Sequence, residues 1–172
     1  MHRLHLLRHA KSSWDDDADD HERPLNRRGR TAARLVGDSL PQALAGLDLV
    51  LCSSALRTRE TAELALAGFA EPPQVLYEDG LYLASRARLM QRLRRVDERV
   101  AALLLIGHNP GLHELAMALA EPDAPAAQAL AEGKFPTGVR VSFAIATPWA
   151  AIGDRRHAIL DYVTVKSLGG RD

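Results

Sequence analysis

Leu103-Leu104-Leu105-Ile106-Gly107-His108-Asn109-Pro110-Gly111 is the stretch on which the fold of this chain is read. Four large apolar residues in succession lack the alternation of a half-solvated strand. They read as a strand buried on both faces, which belongs inside a parallel sheet with helices above and below. The residues that follow read as a turn and a helix start. Asn109 is expected as the N-cap and Pro110 as the first helical residue, with Leu112, Leu115, Ala116 and Leu119 forming the apolar stripe of the helix.

Short apolar runs and helical patterns alternate on either side of this unit. Strands are expected at about Arg3 to Leu7, Asp48 to Cys52, Gln74 to Tyr77, Ala101 to Ile106, Arg140 to Ala146 and His157 to Val165. In the first helix Ala32, Leu35, Val36, Ser39, Leu40 and Ala43 follow the i, i+3, i+4, i+7 rule. A second, from about Ser54 to Leu66, buries Ala62, Ala65 and Leu66; a third, from about Ser85 to Val96, buries Leu89, Leu93 and Val96. The fold expected is α/β, a three-layer α/β/α sandwich with a mostly parallel central sheet. The last two strands, with Trp149 to Asp154 between them, read as an antiparallel edge addition. No repeat or linker interrupts the chain, so residues 1–172 are read as a single domain.

Composition sets the outer bounds. Of 172 residues, 47% are hydrophobic, enough for a core without disulfides or metals. Lys and Arg number 22 and Asp and Glu also 22, so no global positive charge favours nucleic acid. The lone Cys52 has no internal partner, and no window approaches the roughly 18 apolar residues of a membrane span. Neither a signal peptide nor a membrane contact is expected, and the chain is read as cytoplasmic.

In parallel sheets ligands bind beyond the carboxyl ends of the strands. There the first strand delivers Arg8-His9-Ala10, the second Cys52-Ser53-Ser54 with Arg57 in the following turn, and the fourth Gly107-His108-Asn109. Two arginines and two histidines thus converge on one edge. Each has a plain reading alone: a surface pair, a solvated helix residue, a capping histidine. Together they suit phosphoryl chemistry, since a guanidinium fork matches phosphate oxygens and free N–H groups at a helix start add fixed donors. A neutral imidazole among such groups can attack phosphorus, and nearby cations keep it unprotonated. Its other ring nitrogen must then donate to a carbonyl. His2, His5, His21, His113 and His157 show no metal-ligand spacing and are read as structural.

Arg8-His9-Ala10, the segment Ser53-Ser54-Ala55-Leu56-Arg57-Thr58-Arg59-Glu60-Thr61-Ala62, and Gly107-His108-Asn109-Pro110-Gly111 together resemble the histidine phosphatase, or phosphoglycerate mutase-like, superfamily. Arg23-Pro24-Leu25-Asn26-Arg27-Arg28-Gly29 and the short length resemble its small SixA-type phosphohistidine phosphatase branch. The resemblance runs from about Leu4 to Leu119, with a weaker echo at Phe135-Pro136-Thr137-Gly138. It implies His9 as the phosphorylated nucleophile, Arg8, Arg57 and His108 as the rest of the phosphate pocket, and no metal or organic cofactor. Where many members carry a neutral polar residue after the nucleophile, this chain has Ser12-Ser13-Trp14 and then Asp15, so Ser12 or Ser13 is a candidate phosphate donor. Glu78 and Asp79 stand nearest the place where many members supply a carboxylic general acid.

Phosphohistidine leaves as an imidazole and demands less of such an acid than an alkyl ester does. Little chain is left over for a lid, so an open, shallow pocket that a protein-borne phosphate could reach is expected. The leading expectation is a phosphatase acting on phosphohistidine in a protein. Alternatives are a small-molecule phosphomonoesterase and a noncatalytic phosphate-binding module; a mutase fits less well. Two charged features flank this core. The stretch Asp15, Asp16, Asp17, Asp19, Asp20 and Glu22 is read as a solvated loop, with a sharper reading in which it discourages free anionic metabolites. Arg88, Arg92, Arg95 and Arg99 are read as one solvated helix face, and docking of an acidic partner is the minority reading.

Overall fold

The structure is a computed structural model that describes residues 1–15 and 17–171. Six strands form one sheet: β1 (His2–Arg8), β2 (Leu49–Ser53), β3 (Gln74–Glu78), β4 (Ala102–Gly107), β5 (Arg140–Ile145) and β6 (Ala158–Val163). Their order is β3-β2-β4-β1-β5-β6. The first four run parallel; β5 is antiparallel to β1, and β6 to β5. The expected sandwich and its antiparallel edge are therefore present.

The apolar run of β4 explains itself once both faces are seen. Leu103 and Leu105 join one buried cluster, and Leu104 and Ile106 the other. Side chains alternate along a strand, so a central strand needs apolar residues at every position. On one face lie α1 (Arg27–Ala43) and α2 (Leu56–Leu66), which bring Val36, Leu40, Ala62 and Ala65 into the second cluster. On the other lie α3 (Arg86–Arg94) and α4 (Gly111–Leu119), which bring Leu89, Leu93, Leu112 and Leu115 into the first. After α4 an Ala-rich stretch carries the seven-residue helix α5 (Pro125–Ala131), which the expected elements do not include.

Two helix starts differ in their capping. Asn26 caps α1 by accepting from the Gly29 N–H at 2.8 Å. Asn109 does not cap α4. Pro110 holds the N-cap position, and the Asn109 amide instead donates to the Phe135 carbonyl at 3.0 Å. A carbonyl brought up from a distant segment thus orients the amide, and Asn109 Oδ1, the atom that would cap the helix, is left without a partner. Glycine allows two close approaches beside these starts. A Cβ on Gly29 would lie 1.9 Å from the Lys11 oxygen, and one on Gly111 would lie 2.0 Å from the Ala84 oxygen.

Candidate active site

The carboxyl ends of β2, β4 and β1 are adjacent in the sheet, with Cys52 level with Ile106 and Arg8 level with Gly107. Beyond them opens a cavity of about 640 Å³ lined by Arg8, His9, Arg57 and His108 together with Ser12, Asp20 and Arg23. The four residues expected at this edge are thus brought together; the His9 and His108 ring centroids lie 5.3 Å apart. Exposed Trp14, Asp15 and Leu83 also belong to the wall, so the cavity is open on that side.

His9 follows β1 and is buried, and its Nδ1 lies 2.7 Å from the Ala10 carbonyl. A carbonyl only accepts, so Nδ1 carries the proton and the neutral ring keeps Nε2 bare. Burial, opposed by the Ala10 bond and reinforced by Arg8, Arg57 and Arg23, pushes the imidazole down to about 3. His108 is likewise pushed down to about 3, by burial first and then by His9 and Arg57. Both rings are neutral at neutral pH.

Arg57 sits in the first turn of α2 yet is only 2% exposed, where a solvated residue was the plain reading. The buried face of α2 also takes Thr58 and Thr61, whose hydroxyls serve the backbone: Thr61 accepts from the Ala10 N–H at 3.0 Å and donates to the Arg57 carbonyl at 2.7 Å. Thr61 thereby ties the turn after β1 to the turn that carries Arg57. Arg8 donates from Nη1 to the Phe135 carbonyl at 3.0 Å. Among buried polar side-chain atoms without a partner, Arg8 Nε, Arg57 Nε, His108 Nδ1 and Asn109 Oδ1 all belong to residues of this cavity. Three of these atoms are nitrogens able to donate to an anion, and buried donors are rarely left unmet.

Ser53 has no role in the sequence analysis, and Asp20 has a different one from that found here. Ser53, at the end of β2, has its Oγ 2.7 Å from His108 Nε2 and accepts from the Ala55 N–H. Asp20 is exposed but not free in solvent: it is ion-paired with Arg57 and Arg23 and hydrogen-bonded by the Tyr82 hydroxyl. In the rest of the acidic stretch Asp15, Asp17, Asp19 and Glu22 are likewise exposed, and Asp16 lies outside the described residues. Ser12 accepts from Arg23 at 2.8 Å, and Ser13 from the Asp15 N–H at 3.2 Å; both line the cavity.

Glu78 and Asp79 do not join the four. Glu78 is engaged by Arg92 through two bonds of 2.8 and 2.9 Å, and Asp79 is exposed at a neighbouring turn. The same pair breaks up the arginine face, since Arg92 is bound to Glu78 and Arg99 lies beyond α3, paired with Asp97. The remaining histidines have local partners. His2 pairs with Glu98, His113 with the Leu130 carbonyl and His157 with the Ile152 carbonyl, while His5 and His21 meet Ser142 and Ser54. Among the described residues no group of three or more His, Cys, Asp or Glu is placed to hold a metal ion. Among them, too, no helix is long and apolar enough to cross a membrane.

The family model of the histidine phosphatase superfamily (branch 1) matches residues 4–82. An uncharacterized protein of Mycobacterium tuberculosis is 39% identical over 149 residues, which cover 85% of this chain and 91% of that one. The chain belongs to the histidine phosphatase superfamily. Within that superfamily its likeness is to the small SixA-type branch. A structure of a candidate phosphohistidine phosphatase SixA from Nakamurella multipartitia superposes with a TM-score of 0.83 at 26% identity, covering 95% of each chain. That from Agrobacterium tumefaciens gives 0.78 at 25% identity, over 95% of this chain and 98% of the other. A chloroplastic uncharacterized protein of Arabidopsis thaliana is 35% identical over 128 residues, 68% of this chain and 58% of that one. Membership of the histidine phosphatase superfamily supports phosphatase chemistry in general terms.

Proposed function

We propose that the chain is a phosphatase that forms a covalent phosphohistidine at His9 and acts on phosphohistidine in a protein. One observation carries this reading: the His9 Nδ1–H is held by Ala10, leaving Nε2 bare, beside two arginines and a second neutral histidine whose free nitrogens are unpartnered. In the first step His9 Nε2 attacks phosphorus and the bond to the leaving imidazole breaks. Arg8, Arg57 and His108 spread the charge on the three phosphoryl oxygens. In the second step water attacks the phosphorus of phosphorylated His9, releasing inorganic phosphate and restoring the neutral ring.

The choice of substrate follows from the proton donor. Glu78 is bound to Arg92 and Asp79 lies outside the cavity wall, so neither is at hand for a basic alkoxide. An imidazole leaving group needs little help, and the open side of the cavity suits a phosphate carried on a protein. The likeness to candidate SixA proteins points the same way. A small phosphate ester also fits an open cavity, so the test runs both substrates in parallel.

Phosphate release is measured from a phosphohistidine-bearing protein and from simple esters, with the intact chain and with His9→Ala. Faster release from the protein, lost with His9→Ala, is expected. Release that survives the substitution would sink the nucleophile assignment. Release from esters alone would make this a phosphomonoesterase, and none from any substrate would leave a binding module.

A further inference from the structure

Asp20 meets Arg57 twice, yet the two steps outlined above do not use it. Arg57 Nη1 donates to the Asp20 main-chain oxygen at 2.7 Å, and Nη2 donates to its Oδ2 at 3.2 Å. These nitrogens form the end edge of the guanidinium. The side edge, Nε with the second hydrogen of Nη2, retains an unpartnered Nε. Arg8 shows a similar division, with Nη1 on the Phe135 carbonyl and Nε unpartnered. A guanidinium binds a phosphoryl group through two parallel N–H bonds along one edge, so gripping one edge fixes which other edge is presented.

Asp20 is held in its turn. Arg23 Nε donates to its Oδ1 at 3.0 Å, and the Tyr82 hydroxyl donates to its Oδ2. Arg23 is anchored on Ser12 Oγ and the Ser13 carbonyl at 2.8 and 3.0 Å and lies 3.5 Å over the Trp14 ring. The hydrogen bond from Tyr82, then those from Arg23 and Arg57, hold the Asp20 carboxyl down to about 2. A carboxylate so stabilised has no proton to give at neutral pH.

We propose that Asp20 is a positioning residue that grips the Nη1–Nη2 edge of Arg57 so that the Nε edge meets the phosphoryl oxygens. The assignment rests on the phosphatase reading above, and Asp20 acts through Arg57 without touching substrate. It is tested by a double-mutant cycle, measuring kcat and KM for the intact chain, Asp20→Ala, Arg57→Ala and the double variant. The substrates are 4-nitrophenyl phosphate and phenyl phosphate, and thermal melts confirm that each variant is folded.

Asp20→Ala is expected to lower kcat about 10- to 100-fold, as misplaced catalytic groups do, with a smaller change in KM. Placed on Arg57→Ala it is expected to cost less than about twofold more, because the residue through which it acts is gone. The loss is expected to be equal for the two esters. A full further loss in the Arg57→Ala background, or higher kcat in Asp20→Ala, overturns the assignment. So does a loss confined to phenyl phosphate, whose leaving phenolate is the more basic, since that would make Asp20 a proton donor. Asp20→Asn keeps one oxygen for Arg57. Partial recovery of kcat supports the grip, and this variant replaces alanine in the cycle if alanine melts below the assay temperature. If the intact chain turns over neither ester, the cycle is run on the phosphohistidine-bearing protein; no release from that substrate either sinks the phosphatase reading and this assignment with it, an outcome distinct from the others.

Discussion

His9 and His108 differ from exposed histidines in a measurable way. Burial with cations nearby pushes both down to about 3, so neither ring should protonate as the pH falls through 6.5. Titration of their ring protons by NMR in the absence of phosphate is expected to give midpoints far below the ordinary imidazole value of about 6.5; midpoints near 6.5 would remove the basis for a bare Nε2 at mildly acid pH. Ser53 bears on the same question through His108 Nε2. Ser53→Ala leaves that buried nitrogen unpartnered at a cost of about 1 to 3 kcal/mol, to be read by denaturant unfolding. It should also lower kcat, since the His108 ring loses the partner that orients it. The chain names Ser53 as a strand end but cannot pair it with His108, 55 residues on.

At the scale of elements, the turn after β1 and the start of α1 are packed without spare room. Gly29→Ala would put a Cβ 1.9 Å from the Lys11 oxygen. Relief requires backbone movement, for which overpacking costs of roughly 1 to 3 kcal/mol or more are usual. A fall in Tm of roughly 3 to 10 °C is expected. Gly80→Ala, where nothing lies within 4 Å, is the control and should leave Tm nearly unchanged. The same movement would disturb Lys11 and Ser12 in the cavity wall, so phosphate release should fall as well. The six strands and α1 to α4 were legible from periodicity because each shows its apolar pattern locally, whereas α5 buries only Leu130 and shows none. The start of α4 was not legible, because the Asn109 amide is claimed by the Phe135 carbonyl, 26 residues away.

Across the whole molecule three buried histidines couple stability to pH. His5, bonded to Ser142 inside the sheet, is pushed down to about 4 by burial and by Arg140. His9 and His108 lie lower still. In each case the folded form resists a proton that the unfolded chain accepts near 6.5, so the contribution is complete above that pH and is lost as the pH falls. The slope is up to about 1.4 kcal/mol per pH unit for each ring. Urea midpoints should therefore be flat from pH 8 to 7 and decline steadily below about 6.5. A flat profile down to pH 4.5 would show that these rings are protonated in the folded state.

What the chain encodes locally is the layered α/β fold and the arrival of Arg8, His9, Arg57 and His108 at one sheet edge. Parallel strands point their carboxyl ends the same way, and each residue lies at the end of, or within a turn after, a strand whose apolar pattern can be read. Tertiary packing settled the division of labour among the carboxylates. Glu78, next to a strand end, is bound by Arg92, while Asp20, from a loop that reads as solvated, folds back onto Arg57. Ion pairs of this kind join residues far apart in the chain and depend on the path of a connecting loop. Neither leaves a local pattern, so the net charge of zero does not say which of the opposed groups the folded chain brings into contact.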